Sequence, residues 1–159
     1  IRDRTETSGM RAVIQRVSRA SVTIEEEVAS SIDSGLLVLL GIEEADDNTD
    51  IEWLTAKIAN MRILDDGEGR MNRSLLDTGG SVIVVSQFTL HASTRKGNRP
   101  SFIRAARPEQ SEPLYLDFCE ALSSRLGQPV GRGRFGAMMR VSLVNEGPVT
   151  IVIDSRNRE

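Results

Sequence analysis

Apolar and polar residues alternate through Ala12, Ile14 and Val17 and again through Val22 and Ile24, the two-residue period of strands with one buried face. Gly35 then opens an unbroken apolar run, Leu36 to Ile42, which reads as a strand covered on both faces. Three or four strands are expected from this part of the chain. The period then changes. Ile51, Leu54, Ile58 and Met61 recur at spacings of three, four and three, which marks one face of a helix, and Asp46, Asp47 and Asn48 offer capping side chains ahead of it. A short strand at Arg62 to Leu64 leads into Asp65-Asp66-Gly67-Glu68-Gly69, a turn composition. Gly79-Gly80 precedes a strand predicted from Ser81 to Phe88. A second helix is predicted from Pro108 or Glu109 to Gly127, with Leu114, Phe118, Ala121, Leu122 and Leu126 facing inward; Pro113 moves its start later if the ring is not tolerated. Strands are expected again at Val130 to Phe135, Met139 to Asn145 and Pro148 to Ile153. Many short strands with two main helices predict an α+β fold, a mixed sheet that curls, with the helices over its apolar face.

The 159 residues are enough for one domain with a core of its own. Ile1 to Gly9 are polar and patternless and read as an N-terminal extension ahead of a single domain over residues 10–159. A net charge of −3 argues against nucleic-acid binding by bulk positive charge, so any RNA contact is expected on a local patch. One cysteine, Cys119, and one histidine, His91, leave neither a disulfide framework nor a His-rich ligand set. The simplest expectation is a site without metal or cofactor, in a reducing compartment. No apolar run approaches the ~20 residues that cross a bilayer, and the first residues lack a signal-peptide segment. A cytoplasmic protein without a membrane partner is expected.

Two stretches stand apart from the strand pattern. Asn145-Glu146-Gly147-Pro148-Val149-Thr150 interrupts two apolar runs with a Gly-Pro step, and a proline there has no N–H for a sheet ladder. It reads as a turn between strands, or as something built for a site. Ser86-Gln87-Phe88-Thr89-Leu90 ends an apolar strand with three polar side chains in four positions. Thr89 is the evident nucleophile candidate, and on an extended strand His91 would point the same way and could serve it as base. The carboxylates of residues 65–69 lack the ligand spacing of a calcium loop.

Taken together, these stretches resemble the SQFTL and NxGPVT signatures of the D-aminoacyl-tRNA deacylases. The likeness extends from about Met10 to Ile153, through Gln15-Arg16-Val17, Gly69-Arg70-Met71-Asn72, Arg99-Pro100-Ser101-Phe102 and Gly133-Arg134-Phe135-Gly136-Ala137. The resemblance implies a closed or nearly closed barrel flanked by two main helices, and a homodimer with its site at the subunit interface. It also implies hydrolysis of the ester of D-aminoacyl-tRNA, extending to misattached glycine, with attack by water assisted by the 2′-hydroxyl of the terminal adenosine. In that chemistry Ser86, Gln87, Phe88 and Thr89 position the adenosine and the ester, while Phe135 packs against adenine. A cis Gly147-Pro148 peptide enters the partner's site and excludes L side chains, Arg16 holds it through a carbonyl, and Asn145 and Met138 are further substrate-binding candidates. Arg95, Lys96, Arg99, Arg104, Arg107, Arg132, Arg134 and Arg140 are candidates for the phosphates of the acceptor end. Asn72 matches the family without a derivable role. Met138 departs from the family's Asp, which puts pocket shape in question. Two alternatives keep parts of the pattern: a tRNA 3′-end binding module without turnover, and an ester hydrolase with Thr89 as nucleophile.

Overall fold

In the computed structural model, which describes residues 8–158, one long strand serves as the spine of the sheet. β1 (Arg11–Ile24) merges the two alternating segments at its start and end. It turns through Glu25 and Glu26, both at positive φ, into β2 (Glu27–Ile32), the left-handed pair that a two-residue hairpin requires. β3 (Gly35–Gly41) pairs antiparallel with the first half of β1, so β2 and β3 share the same edge of β1 in succession. β6 (Ser81–Ser86) runs parallel to β3, and β7 (Gly131–Arg132) runs parallel to β6. β8 (Arg140–Asp154) covers the other edge of β1 along nearly its whole length. The sheet then curls until β2 approaches β7, where the Ser30 hydroxyl both accepts from the Arg132 N–H and donates to its carbonyl, each at 2.9 Å. The result is the nearly closed, barrel-like mixed sheet.

The unbroken apolar run of β3 has a direct explanation. Leu36, Val38 and Leu40 face the helices, where Ile14, Leu54, Ile58, Phe118 and Leu122 meet them. Leu37 and Leu39 face into the curl with Val17, Val22, Ile83 and Val85. Both faces are therefore dry. Each fully buried side chain of this size contributes roughly 1.5–3 kcal/mol.

α1 (Asn48–Asn60) is capped by Asp47, which accepts from the Thr49 N–H at 2.9 Å, while Asp50 accepts from the Asp47 N–H. Of the three expected caps Asp46 serves otherwise: its buried carboxylate accepts from the Glu43 N–H. β4 (Leu64–Asp65) and β5 (Met71–Arg73) form a small hairpin, starting two residues later than the predicted strand, and a single-turn α2 (Leu75–Thr78) follows. α3 (Pro108–Leu126) begins at Pro108 and keeps Pro113 inside, because the carbonyl that loses its partner there belongs to Glu109, which is exposed to water. Its buried side includes Tyr115 and Cys119, which belong to the same helical face as the predicted Phe118 and Leu122. Residues 1–7 of the expected extension lie outside the described residues. Ser8 and Gly9 are seated: Ser8 donates to Glu43 and the Gly9 N–H to Asp154.

Two predicted strands at the C-terminal end are in fact one. β8 is continuous through the Gly-Pro step, which forms a bulge and not a strand-to-strand turn. Gln15 pairs with Thr150 and Val17 with Asn145, so residues 146–149 stand opposite Arg16 alone. The predicted strand Val130 to Phe135 shortens to two residues, because Gly133 onward leaves the sheet in a turn.

Candidate active site

Strand β6 stops at Ser86, short of the predicted Phe88. The Gln87 N–H still reaches Leu40 O at 2.7 Å, but residues Phe88–His91 then wind into a 3₁₀ turn closed by Leu90 N–H to Gln87 O. This overturns the geometry expected for Thr89 and His91. In a turn of three residues per revolution, side chains two apart diverge. Thr89 is exposed and accepts a short hydrogen bond from the Gln87 side-chain amide. His91 is 2 % exposed, with neither ring nitrogen hydrogen-bonded among the described residues. Burial holds its imidazole below the usual histidine range and therefore neutral. Among the described residues, no base hydrogen-bonds to the Thr89 hydroxyl. Cys119 is no substitute, since burial pushes its thiol up to about 11.

A cavity of about 660 Å³ opens at this strand end. Ser86, Gln87 and Phe88 form one wall, Phe102 a second, and Phe135 with Met138 a third. Phe88 and Phe102 meet edge to face with ring centroids 5.0 Å apart. Phe135 rests against Tyr115, centroids 6.1 Å apart, and the Tyr115 hydroxyl donates to Val84 O at 2.7 Å, which ties the cavity's back wall to the strand that carries Ser86. Burial raises the Tyr115 hydroxyl's pKa, so it stays a donor. Phe102 and Tyr115 were not singled out from the sequence as site residues. Tyr115 was available from the helical period, one turn before Cys119.

The bulge of β8 is a second constellation. The Asn145 side chain closes its neck, accepting from the Val149 N–H at 2.8 Å and donating to Val149 O and to Thr150 Oγ1 at 3.2 Å each. Arg16 fills the space opposite, its Nε donating to Glu146 O at 2.8 Å and its Nη1 to Ile63 O at 2.9 Å. The Gly147-Pro148 peptide is cis, and both residues are exposed at the tip. Gly147 has φ +140°, and an added Cβ would lie 2.9 Å from Arg16 Nη2 and 2.9 Å from Val149 Cγ2, so the position is built for glycine. Arg16 and Glu146 border a separate cleft of about 800 Å³, which shares no lining residue with the cavity at Ser86. Within one chain, then, Arg16, Asn145, Gly147 and Pro148 form one group and Ser86, Gln87, Phe88, Phe135 and Met138 another.

The charged candidates divide as well. Arg132 forms an ion pair with Glu120 at 2.8 Å, so it does not present a free charge as expected. Arg95, Lys96, Arg99, Arg104, Arg107, Arg134 and Arg140 have no carboxylate within ion-pair distance among the described residues. Asn72 acquires a structural role, accepting from Arg62 through both its backbone and side-chain oxygens. Asp65 and Asp66 accept backbone N–H groups of their own turn, and no group of metal-ligating side chains occurs among the described residues.

Fold and site together define a small α+β protein whose recessed, aromatic-walled cavity offers amides and hydroxyls and, among the described residues, no charged side chain in its lining. Its family follows from comparison: the chain belongs to the D-Tyr-tRNA(Tyr) deacylase family, whose model matches residues 13–154. Proteins named D-aminoacyl-tRNA deacylase from Opitutus terrae and Bacteroides thetaiotaomicron are 62 % and 60 % identical over 150 residues, 94 % of this chain and 100 % of each relative. Among solved structures, the c-Myc DNA unwinding element binding protein is 41 % identical with a TM-score of 0.85, covering 91 % of this chain and 97 % of the other. A probable eukaryotic D-amino acid tRNA deacylase shares the fold at a TM-score of 0.79 and 17 % identity, over 91 % and 98 % of the two chains.

Proposed function

We propose that this protein hydrolyses the ester joining a D-amino acid to the 3′-terminal adenosine of tRNA. Water adds to the carbonyl carbon, the ester C–O bond breaks, and the products are the free D-amino acid and tRNA with its hydroxyl restored. Within the family match, the observation that carries this reading is the cavity at Ser86, Gln87 and Phe88. It has aromatic walls for a nucleoside and amides for an ester, but no side-chain acid–base pair. A site so equipped relies on positioning and on donors aimed at the developing oxyanion. The N–H groups of Phe88 and Thr89 open the 3₁₀ turn and suit that role, and the substrate's 2′-hydroxyl assists the attacking water. Phe135 packs against adenine, and the unpaired arginines of the 92–107 loop hold acceptor-end phosphates.

Selectivity resides in the bulge. Gly147 and Pro148 are exposed and do not line their own chain's cavity, and we place them in the cavity of a second copy, in a homodimer. Their backbone there obstructs an L side chain and leaves the D direction open, so discrimination works by rejection. Glycine, with no side chain to obstruct, is admitted. Such a substrate belongs to the cytoplasm.

The test is incubation with D-Tyr-tRNA, L-Tyr-tRNA and a D-Tyr alkyl ester, which lacks the nucleoside. Loss of D-Tyr from tRNA alone is expected. No loss from any substrate would favour a 3′-end binding module, and cleavage of the free ester would favour a general esterase with Thr89 as nucleophile.

A further inference from the structure

Two turns flank the cavity mouth, and each displays an apolar side chain that the fold does not use. The first, Phe102 to Ala105, is closed by Ala105 N–H to Phe102 O at 3.1 Å and carries Ile103 and Arg104 at its tip. The second, Arg134 to Ala137, is closed by Ala137 N–H to Arg134 O at 3.1 Å, with Gly136 at φ +76°, and leads into Met138. Ile103 is 86 % exposed and Met138 90 %. Phe102 and Ala105 from one turn, and Phe135 and Met138 from the other, line the same cavity. Each sits on a turn whose neighbouring residues line the cavity, which sets these two apart from apolar residues scattered over the surface. Its surroundings are basic: from Phe88 to Pro108 the chain has Arg95, Lys96, Arg99, Arg104 and Arg107 and no Asp or Glu.

We infer that these two turns form a second nucleotide subsite, which takes the nucleotide immediately preceding the terminal adenosine. Ile103 and Met138 cover the faces of its base, and Arg104 and Arg134 hold the phosphate that joins it to the adenosine. An RNA occupant fits because apolar faces alternating with unpaired arginines match a strand whose bases and phosphates alternate. In the proposed homodimer the partner's bulge enters the cavity itself, and the two basic turns beside it would repel their own counterparts, which leaves them for RNA. The inference rests on the hydrolytic reading of the adjoining cavity. It goes beyond that reading in assigning a base contact, through Ile103 and Met138, to the nucleotide before the terminal adenosine.

The experiment compares D-Tyr-adenosine with D-Tyr esterified to the dinucleotide CpA, using the wild type, Ile103→Ser and Arg104→Gln. In the wild type the added nucleotide is expected to lower KM by roughly fivefold, the lower end of what a base stacked on an aromatic ring gains, because Ile103 and Met138 are aliphatic. Ile103→Ser should remove most of that gain without altering kcat or the KM for D-Tyr-adenosine. Arg104→Gln should lower the steepness of the salt dependence with CpA by about 0.7 in the log–log slope, one single-strand phosphate. Equal KM for the two wild-type substrates, or an Ile103→Ser effect of the same size on both, would overturn the subsite. So would a change in sedimentation of Ile103→Ser with KM intact, which would mark the rim as a protein interface. Failure to cleave D-Tyr-tRNA, D-Tyr-CpA or D-Tyr-adenosine would instead strike the hydrolytic reading itself.

Discussion

Arg16 is where stereochemical discrimination can be tested without touching the cavity. Its guanidinium joins the Glu146 carbonyl of the bulge to the Ile63 carbonyl of the helix–hairpin connection, at 2.8 and 2.9 Å. Lysine keeps the charge but presents one point donor in place of a fork, so it can satisfy one carbonyl and not both. A hydrogen bond to a charged group is worth about 1.5–3 kcal/mol when shielded, and the bond to Glu146 lies where water competes, so about 1 kcal/mol is the appropriate figure. That corresponds to about fivefold in a ratio of rates. We expect Arg16→Lys to reduce the D/L ratio of kcat/KM for Tyr-tRNA about fivefold, chiefly by admitting the L substrate. Arg16→Met, which abandons both carbonyls, should reduce it further. Single-turnover deacylation of both enantiomers is the assay, with circular dichroism to establish that the variants fold. A folded Arg16→Met enzyme that rejects L-Tyr-tRNA as the parent does would refute the argument that the bulge must be braced to discriminate.

The remaining expectations concern the same two constellations. Gly147→Ala forces a left-handed backbone and a Cβ into Arg16 and Val149, so it should cost about 1–3 kcal/mol locally and damage discrimination more than thermal stability, measured by the D/L ratio beside Tm. Thr89→Ala should retain turnover to within about tenfold, because the hydroxyl has no base and only accepts from Gln87; a loss of several orders of magnitude would restore the nucleophile reading. His91 gives a pH signature. Its folded pKa lies below the ordinary 6.5, so its contribution to stability is fully present above that value and is lost as pH falls below it, the unfolded chain taking up the proton first. Urea denaturation at pH 7.5 and 5.5 should therefore show a smaller loss for His91→Phe than for the wild type.

Much of this architecture was legible from periodicity. The helical spacing of Ile51, Leu54 and Ile58 and the two-faced run of β3 specify their own burial, because each pattern is the direct imprint of the surface it covers. Arg16 was identifiable as a partner for a backbone carbonyl only through family resemblance, since its hydrogen bond to residue 146 spans 130 positions and local pattern has no access to such a separation. The failures were local competitions. A Gly-Pro step inside Val141 to Ile153 predicts two strands because proline ends most ladders, whereas here β8 takes up the surplus residues in a bulge, shifts its register on β1 there and again between Val17 and Arg19, and pairs on to Thr23. Sequence puts Thr89 and His91 on one side because a polar strand end looks the same there as a 3₁₀ turn, and the difference lies in where the Leu90 N–H finds its acceptor.

The curl of the sheet is fastened very unequally. Along one side β8 is bonded to β1 by a ladder that runs from Arg11 to Thr23, whereas between β2 and β7 the closure is a single serine hydroxyl serving one residue in both directions. A cylinder sewn firmly down one flank and buttoned at one point on the other yields at the button. β7 is held on its other side by its ladder to β6, and Phe135 beyond it by Tyr115, so of the two long seams of the curl the one between β2 and β7 is expected to open first, and it lies next to the segment that carries Phe135 to the cavity.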